Sequence, residues 1–244
     1  MKKVEFWFSI GSPYTYLSVM RLPRIIAKTG LQVDWRPFSA RQIMQEHGYH
    51  PYTDKPVRTA YMWTDIERQA KKFGLTPRLP APFPVLGYEI ANRIAVLAAQ
   101  EGWVADYVGT TYRHWFHDGH TAGQEPNLSK TLVELGRNPD KIIAQAEGAV
   151  IGQAFEAATA EARDRGVFDT PSFVVEGQVY WGDDRMPDAL RHAIPDPRAR
   201  VMKKPPAPEK PRLSEDRPDQ KKGVERYGKV HHRHLHPGIC SHET

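Results

Sequence analysis

Residues 4 to 38 read as strand, helix, strand, and that unit limits the fold more than any other stretch. Val4-Glu5-Phe6-Trp7-Phe8-Ser9-Ile10 alternates, with aromatic and β-branched residues, as a strand does. Gly11-Ser12-Pro13 stops it. Serine at the cap and proline at the first helical position form a helix entry. Leu17, Met20, Leu22, Ile25 and Ile26 supply an apolar face, and Gly30 closes the helix. Leu31 to Phe38 alternates again. A strand, helix and strand of this length call for parallel strands joined by a right-handed crossover.

From about Arg58 to Ile151 the chain shows helical runs and no convincing strand. Tyr61 to Phe73, Tyr88 to Gln100, Trp103 to Phe116 and a run opened by Asn138-Pro139-Asp140 all read as helices, as does alanine-rich Ala154 to Arg165. Pro171 to Gly182 then offers two short strands around Glu176-Gly177, and Asp183-Asp184 caps a short helix ending at Ile194. This order predicts an α/β protein with a thioredoxin-like fold. An all-helical insertion separates its βαβ and ββα halves, and a disordered C-terminal tail follows. Residues 1–194 form one domain, with the insertion over about 55–152, and residues 195–244 form the tail.

Charge supports that boundary. Of 34 Lys/Arg and 29 Asp/Glu, 12 and 7 lie from Pro195 onward, which leaves 22 of each sign in residues 1–194. The net charge of +5 therefore belongs to the tail, together with 8 of the 21 prolines. Such a segment lacks the apolar surface to offset chain entropy. A neutral body argues against nucleic-acid binding. No apolar run is long enough to cross a membrane, and Met1 to Trp7 does not resemble a secretory signal. A single cysteine, Cys240, excludes an internal disulfide and dithiol redox chemistry. A cytoplasmic protein with no membrane or nucleic-acid partner is expected.

Three places carry candidate chemistry. Ser12 stands between a strand and a helix start, where unpaired N–H groups favour an anion; it serves as a cap, as a donor to a bound thiolate, or as both in turn. Thr170-Pro171 precedes a strand, where a rigid X–Pro turn would present the Thr170 main chain to an extended ligand; base frequency favours the trans bond. Asp183-Asp184 opens a helix and either caps it or meets the amine of a ligand. His114, His117 and His120 drift around a helix without an evident carboxylate, so no metal site is expected there. His231, His232, His234, His236, Cys240 and His242 offer adventitious metal affinity alone.

Phe8-Ser9-Ile10-Gly11-Ser12-Pro13-Tyr14-Thr15-Tyr16-Leu17 resembles the opening motif of the 2-hydroxychromene-2-carboxylate isomerases, relatives of the kappa-class glutathione transferases in the DsbA-like branch of the thioredoxin superfamily. Phe168-Asp169-Thr170-Pro171-Ser172-Phe173-Val174-Val175, followed by Tyr180 to Arg185, resembles the C-terminal motif of the same family. The resemblance covers residues 1 to about 194. It implies a homodimer, glutathione as cofactor, a small aromatic carboxylate as substrate, and Ser12 as the group that activates the thiol. It implies a cis Pro171, with the Thr170 main chain on the cysteinyl part of glutathione. Asp183 and Asp184 would meet its γ-glutamyl end and Arg58 would lie nearby. The implied reaction adds a thiolate to the chromene, opens the ring, rotates a former double bond and expels the thiol, so that glutathione is not consumed.

Gly11 departs from the family, which commonly has a bulkier apolar residue there, and this predicts a looser backbone. The family's asparagine after the second strand has no clear match in Gly48-Tyr49-His50-Pro51, where Tyr49 is the nearest candidate. Trp63, Tyr88, Trp115 and Phe116 line a flat substrate's pocket or belong to the core. Two other activities fit the same features: a kappa-like transferase or peroxidase, and a non-catalytic thioredoxin-like binding module.

Overall fold

A computed structural model of the chain describes residues 1–49, 52 and 54–194. The tail assigned to 195–244, with its histidines and Cys240, lies outside the described residues, as do His50 and Pro51.

The elements run β1 (Val4–Phe8), α1 (Pro13–Thr29), β2 (Val33–Pro37), α2 (Ala40–Glu46), α3 (Pro56–Lys72), α4 (Tyr88–Glu101), α5 (Val104–Phe116), α6 (Asn127–Glu134), α7 (Pro139–Glu147), α8 (Ala149–Asp164), β3 (Ser172–Val175), β4 (Gln178–Trp181) and α9 (Met186–Ala193). A single 3-10 turn, Asp183–Arg185, precedes α9. The sheet order is β2-β1-β3-β4, with β1 parallel to β2 and antiparallel to β3, and β3 antiparallel to β4. This is the thioredoxin arrangement, with α3 to α7 inserted between its halves. No helix among the described residues is long and apolar enough to cross a membrane.

β1 is buried on both faces, which is why its residues are mostly large and apolar. Phe6 pairs in register with Trp35 of β2 and Phe173 of β3, and its ring meets both, edge-on at 5.0 Å and stacked at 5.1 Å. Such pairs add about 1 kcal/mol each beyond area burial. Trp7 faces the other way, into a smaller cluster with Phe38, Ala162 and Val167. The indole N–H of Trp7 donates to Glu5 at 3.0 Å.

Gly30 caps α1 in the left-handed conformation, and its N–H reaches Ile26 O at 2.8 Å. Two short helices, α2 and α6, have too few turns to show a period in sequence. α3 begins at Pro56, five residues before the expected Tyr61, because proline at its first turn starts it. β1 ends at Phe8 where the pattern ran on to Ile10, and the four residues that follow build the site.

Candidate functional site

Residues Ser9 to Ser12 leave the carboxyl end of β1 and enter α1, and three neighbours hold them. Asn92 of α4, fully buried, accepts from Ile10 N at 2.7 Å and donates to Ile10 O at 2.8 Å and Tyr88 O at 2.7 Å. The Tyr112 hydroxyl of α5 donates to Ser12 O at 3.0 Å. The Thr170 hydroxyl accepts from Ser9 N at 3.0 Å and exchanges a hydrogen bond with Thr15 at 3.1 Å. Gly11 takes φ +129°, a region L residues rarely adopt. A side chain there would come within 3.6 Å of Tyr88 Cβ and 3.9 Å of Val85 Cβ. The expected looseness is absent: glycine is required by the turn, and the loop is packed.

Ser12 occupies the cap position of α1, yet its side chain makes no capping hydrogen bond. Its hydroxyl donates instead to the carbonyl oxygen of Thr170, 3.3 Å away. The capping role is thereby overturned in favour of a hydroxyl turned toward the second motif. The Thr170–Pro171 bond is cis, where base frequency alone pointed to trans. Both main-chain polar groups of Thr170 are engaged: the carbonyl by Ser12, and the N–H by Asp169 Oδ1 at 2.7 Å. A ligand that pairs with the N–H of this residue must displace Asp169, whereas the carbonyl oxygen can accept a second donor beside Ser12.

Asp169 gave no signal in the sequence beyond its place in the motif. Burial pushes its carboxyl up to about 6, against the pull of the Thr170 N–H, the Arg58 charge and the Trp181 side chain. The two aspartates of the next motif have different settings. Asp183 is 7% exposed and accepts from Ser18 Oγ at 2.7 Å, and it forms an ion pair with Arg21. Asp184 is exposed and pairs only loosely with Arg185, at 3.4 Å. Neither caps the turn with its side chain. Arg58 Nη2 donates to the Tyr49 hydroxyl at 2.8 Å, which brings these two candidates together on an exposed edge.

One cavity of about 1250 Å³ includes Ser12, Tyr49, Arg58, Thr170 and Pro171 in its wall, with Asp183 and Asp184. It joins every site residue expected from sequence. Of the four aromatics named above, only Tyr88 lines it. Trp115 and Phe116 are core, and Trp63 packs on Phe83 and Phe116. A pocket for one small ligand is ordinarily about 300–1,000 Å³, and this one is larger. The donor set suits a thiol peptide: a hydroxyl for the sulfur at Ser12, a cation for a carboxylate at Arg58, and an exposed carboxylate for an amine at Asp184.

The histidines follow a different course. His114 and His120 present ligand atoms within 4.8 Å of Asp118, which supplies the carboxylate that the helical spacing hid; its Oδ2 is 2.6 Å from His114 Nδ1. His117 diverges and shares a hydrogen bond with the Tyr16 hydroxyl at 3.1 Å. None of the three lines the cavity.

Comparison with known proteins bears on the family and the fold. A family model described as the DSBA-like thioredoxin domain matches residues 3–194. The chain is 25% identical over 187 residues to the 2-hydroxychromene-2-carboxylate isomerase of Sphingobium xenophagum, covering 76% of this chain and 94% of that one. It is 29% identical over 165 residues to glutathione S-transferase kappa 1 of Caenorhabditis elegans, covering 60% and 69%. A solved structure of a 2-hydroxychromene-2-carboxylate isomerase superposes with a TM-score of 0.70 at 22% identity, covering 77% and 92%.

Proposed function

The chain belongs to the DSBA-like thioredoxin domain family, and we propose that it is a glutathione-dependent isomerase of chromene-carboxylate-type substrates, acting in aromatic catabolism. The observation that carries this reading is the Ser12 hydroxyl, free of the helix it precedes and turned onto Thr170 at the cavity wall. The names of the relatives support the reaction type, and the kappa relative's name supports the thiol.

When bound, glutathione supplies a thiolate nucleophile that is regenerated at the end of the reaction. Ser12 stabilises that charge by turning its O–H from Thr170 O to the sulfur, with the first N–H groups of α1 behind it. Thr170 offers a peptide-pairing edge once Asp169 gives up its N–H. Asp184 receives the amine and Arg58 a carboxylate. The role drawn for Asp183 is indirect: held by Arg21 and Ser18, it fixes the turn that presents Asp184. Tyr49 orients Arg58 through its hydroxyl. The single cysteine of the chain makes a dithiol cycle within it impossible.

Calorimetric titration with reduced glutathione, followed by absorbance assays on 2-hydroxychromene-2-carboxylate, tests the reading. Saturable binding and isomerisation with glutathione recovered intact are expected. Consumption of glutathione would favour the kappa-like transferase reading instead. No binding at millimolar glutathione would sink both and leave a binding module.

A further inference from the structure

Three arginines reach the cavity, and two of them have polar or acidic company. Arg185 pairs with Asp184 and Asp188. Arg58 is held by the Tyr49 hydroxyl and lies within electrostatic reach of Asp169. Arg41, in the first turn of α2, differs: among the described residues no carboxylate lies within ion-pair distance of it. Its Nη2 donates to Val85 O at 2.9 Å, and its guanidinium lies 3.6 Å from the centroid of the Tyr88 ring. A guanidinium has five N–H donors, and the described residues occupy one. Burial works against its positive charge. A half-buried cation, fixed in place and lacking an anion, is arranged to receive one.

Its two partners flank the active loop. Val85 and Tyr88, the two residues that hold Arg41, are the same two that pack against Gly11, the residue before Ser12. The guanidinium is therefore linked to the active loop through the carbonyl of Val85 and the ring of Tyr88. Phe83, Met62 and Leu86 add apolar wall to the same cavity. One unpaired cation beside aromatic and aliphatic wall matches a monoanion on a flat ring; a phosphate dianion would call for further donors.

We propose that Arg41 anchors the carboxylate of a planar aromatic carboxylate co-substrate, in a subsite distinct from the one that Arg58 and Asp184 provide for the thiol peptide. This rests on the reading that the cavity takes a second, aromatic molecule. A planar guanidinium binds carboxylate through two parallel N–H bonds. Stacking on Tyr88 means that little side-chain freedom remains to be lost on binding.

The test uses the full chain with chromone-2-carboxylate as a flat bicyclic anion and chromone as its neutral counterpart. Each is titrated into the parent protein, Arg41→Gln and Arg41→Lys, and reduced glutathione is titrated into the same three. Arg41→Gln is expected to weaken the carboxylate about 10- to 100-fold, to leave chromone unchanged, and to leave glutathione within about 2-fold. Arg41→Lys, which keeps the charge, should recover part of the loss and also reports on a merely structural role. Equal losses for chromone and its carboxylate, no loss for either, or no binding of the carboxylate to the parent protein would overturn the proposal. Arg41-dependent carboxylate binding with no glutathione binding would uphold it and sink the isomerase reading; intact glutathione binding with Arg41-independent carboxylate binding would do the reverse.

Discussion

The Ser12 hydroxyl donates to the Thr170 carbonyl oxygen at 3.3 Å, across 158 positions of sequence. That bond ties the start of α1 to the cis-proline turn before β3 and leaves the α1 amides without a side-chain cap. Loss of a working N-cap costs about 1 kcal/mol, so Ser12→Ala should cost less than that in urea unfolding. Glutathione-dependent activity should fall about 100-fold or more, and the ultraviolet absorbance of bound thiolate should vanish. A large stability loss with unchanged turnover would return Ser12 to a structural role.

Asp169 sets a pH dependence whose sign follows from burial. Its carboxyl is raised to about 6 in the folded chain, against about 3.9 unfolded. Between those values the folded state keeps a proton that the unfolded state has released, so stability falls as pH rises through the window. The loss should be about 2 kcal/mol, and Asp169→Asn should flatten it in urea titrations from pH 4 to 7. Asp169→Ala also frees the Thr170 N–H and should tighten glutathione about 3- to 10-fold. A weaker complex would mean that the carboxylate itself contacts the ligand.

Asp183 and Asp184 are adjacent in sequence and should separate cleanly in experiment. Asp183→Ala strands Arg21, which is 13% exposed and stacked 3.6 Å over the Phe73 ring. The cost should be about 3 kcal/mol. Asp184→Ala should leave thermal stability within about 0.5 kcal/mol while raising the dissociation constant for glutathione. Thermal denaturation and calorimetry on the two variants check both statements.

Asn92 is a third kind of residue, neither core nor ligand. Asn92→Leu leaves Ile10 N–H and C=O buried without their partner, at a cost of about 3 kcal/mol. Because Ile10 leads directly into Gly11 and Ser12, turnover should fall more than the folded fraction does. Activity normalised to folded protein by circular dichroism measures the difference.

Much of this was legible in the chain. Alternation in Val4 to Ile10 and in Leu31 to Phe38, with Gly-Ser-Pro between, gave the βαβ unit, because strand period and cap chemistry are local. The Glu176-Gly177 turn gave β3 and β4 for the same reason. α2 and α6 were illegible because seven or eight residues do not establish a helical period. Within the site, Ser12, Thr170 and Asp184 could be named from motifs, whereas Asn92, Tyr112 and Arg41 could not. Each of those three acts on a loop or cavity far away in sequence, and nothing beside them in the chain announces it. The split between Asp183 and Asp184 was hidden likewise, since it depends on Arg21 and Ser18 of α1.

The first strand of the chain lies between the second and the third, and the third arrives some 130 residues after the second. During synthesis Ser12 emerges early and stays without its Thr170 partner until the ββα half has been made. Any chain that stops before β3 has Ser12 but not the Thr170 carbonyl that receives its hydroxyl. A ligand that spans Ser12 and Thr170 would then act as a removable staple between an early and a late part of the domain, holding β3 against β1 for as long as it stays bound.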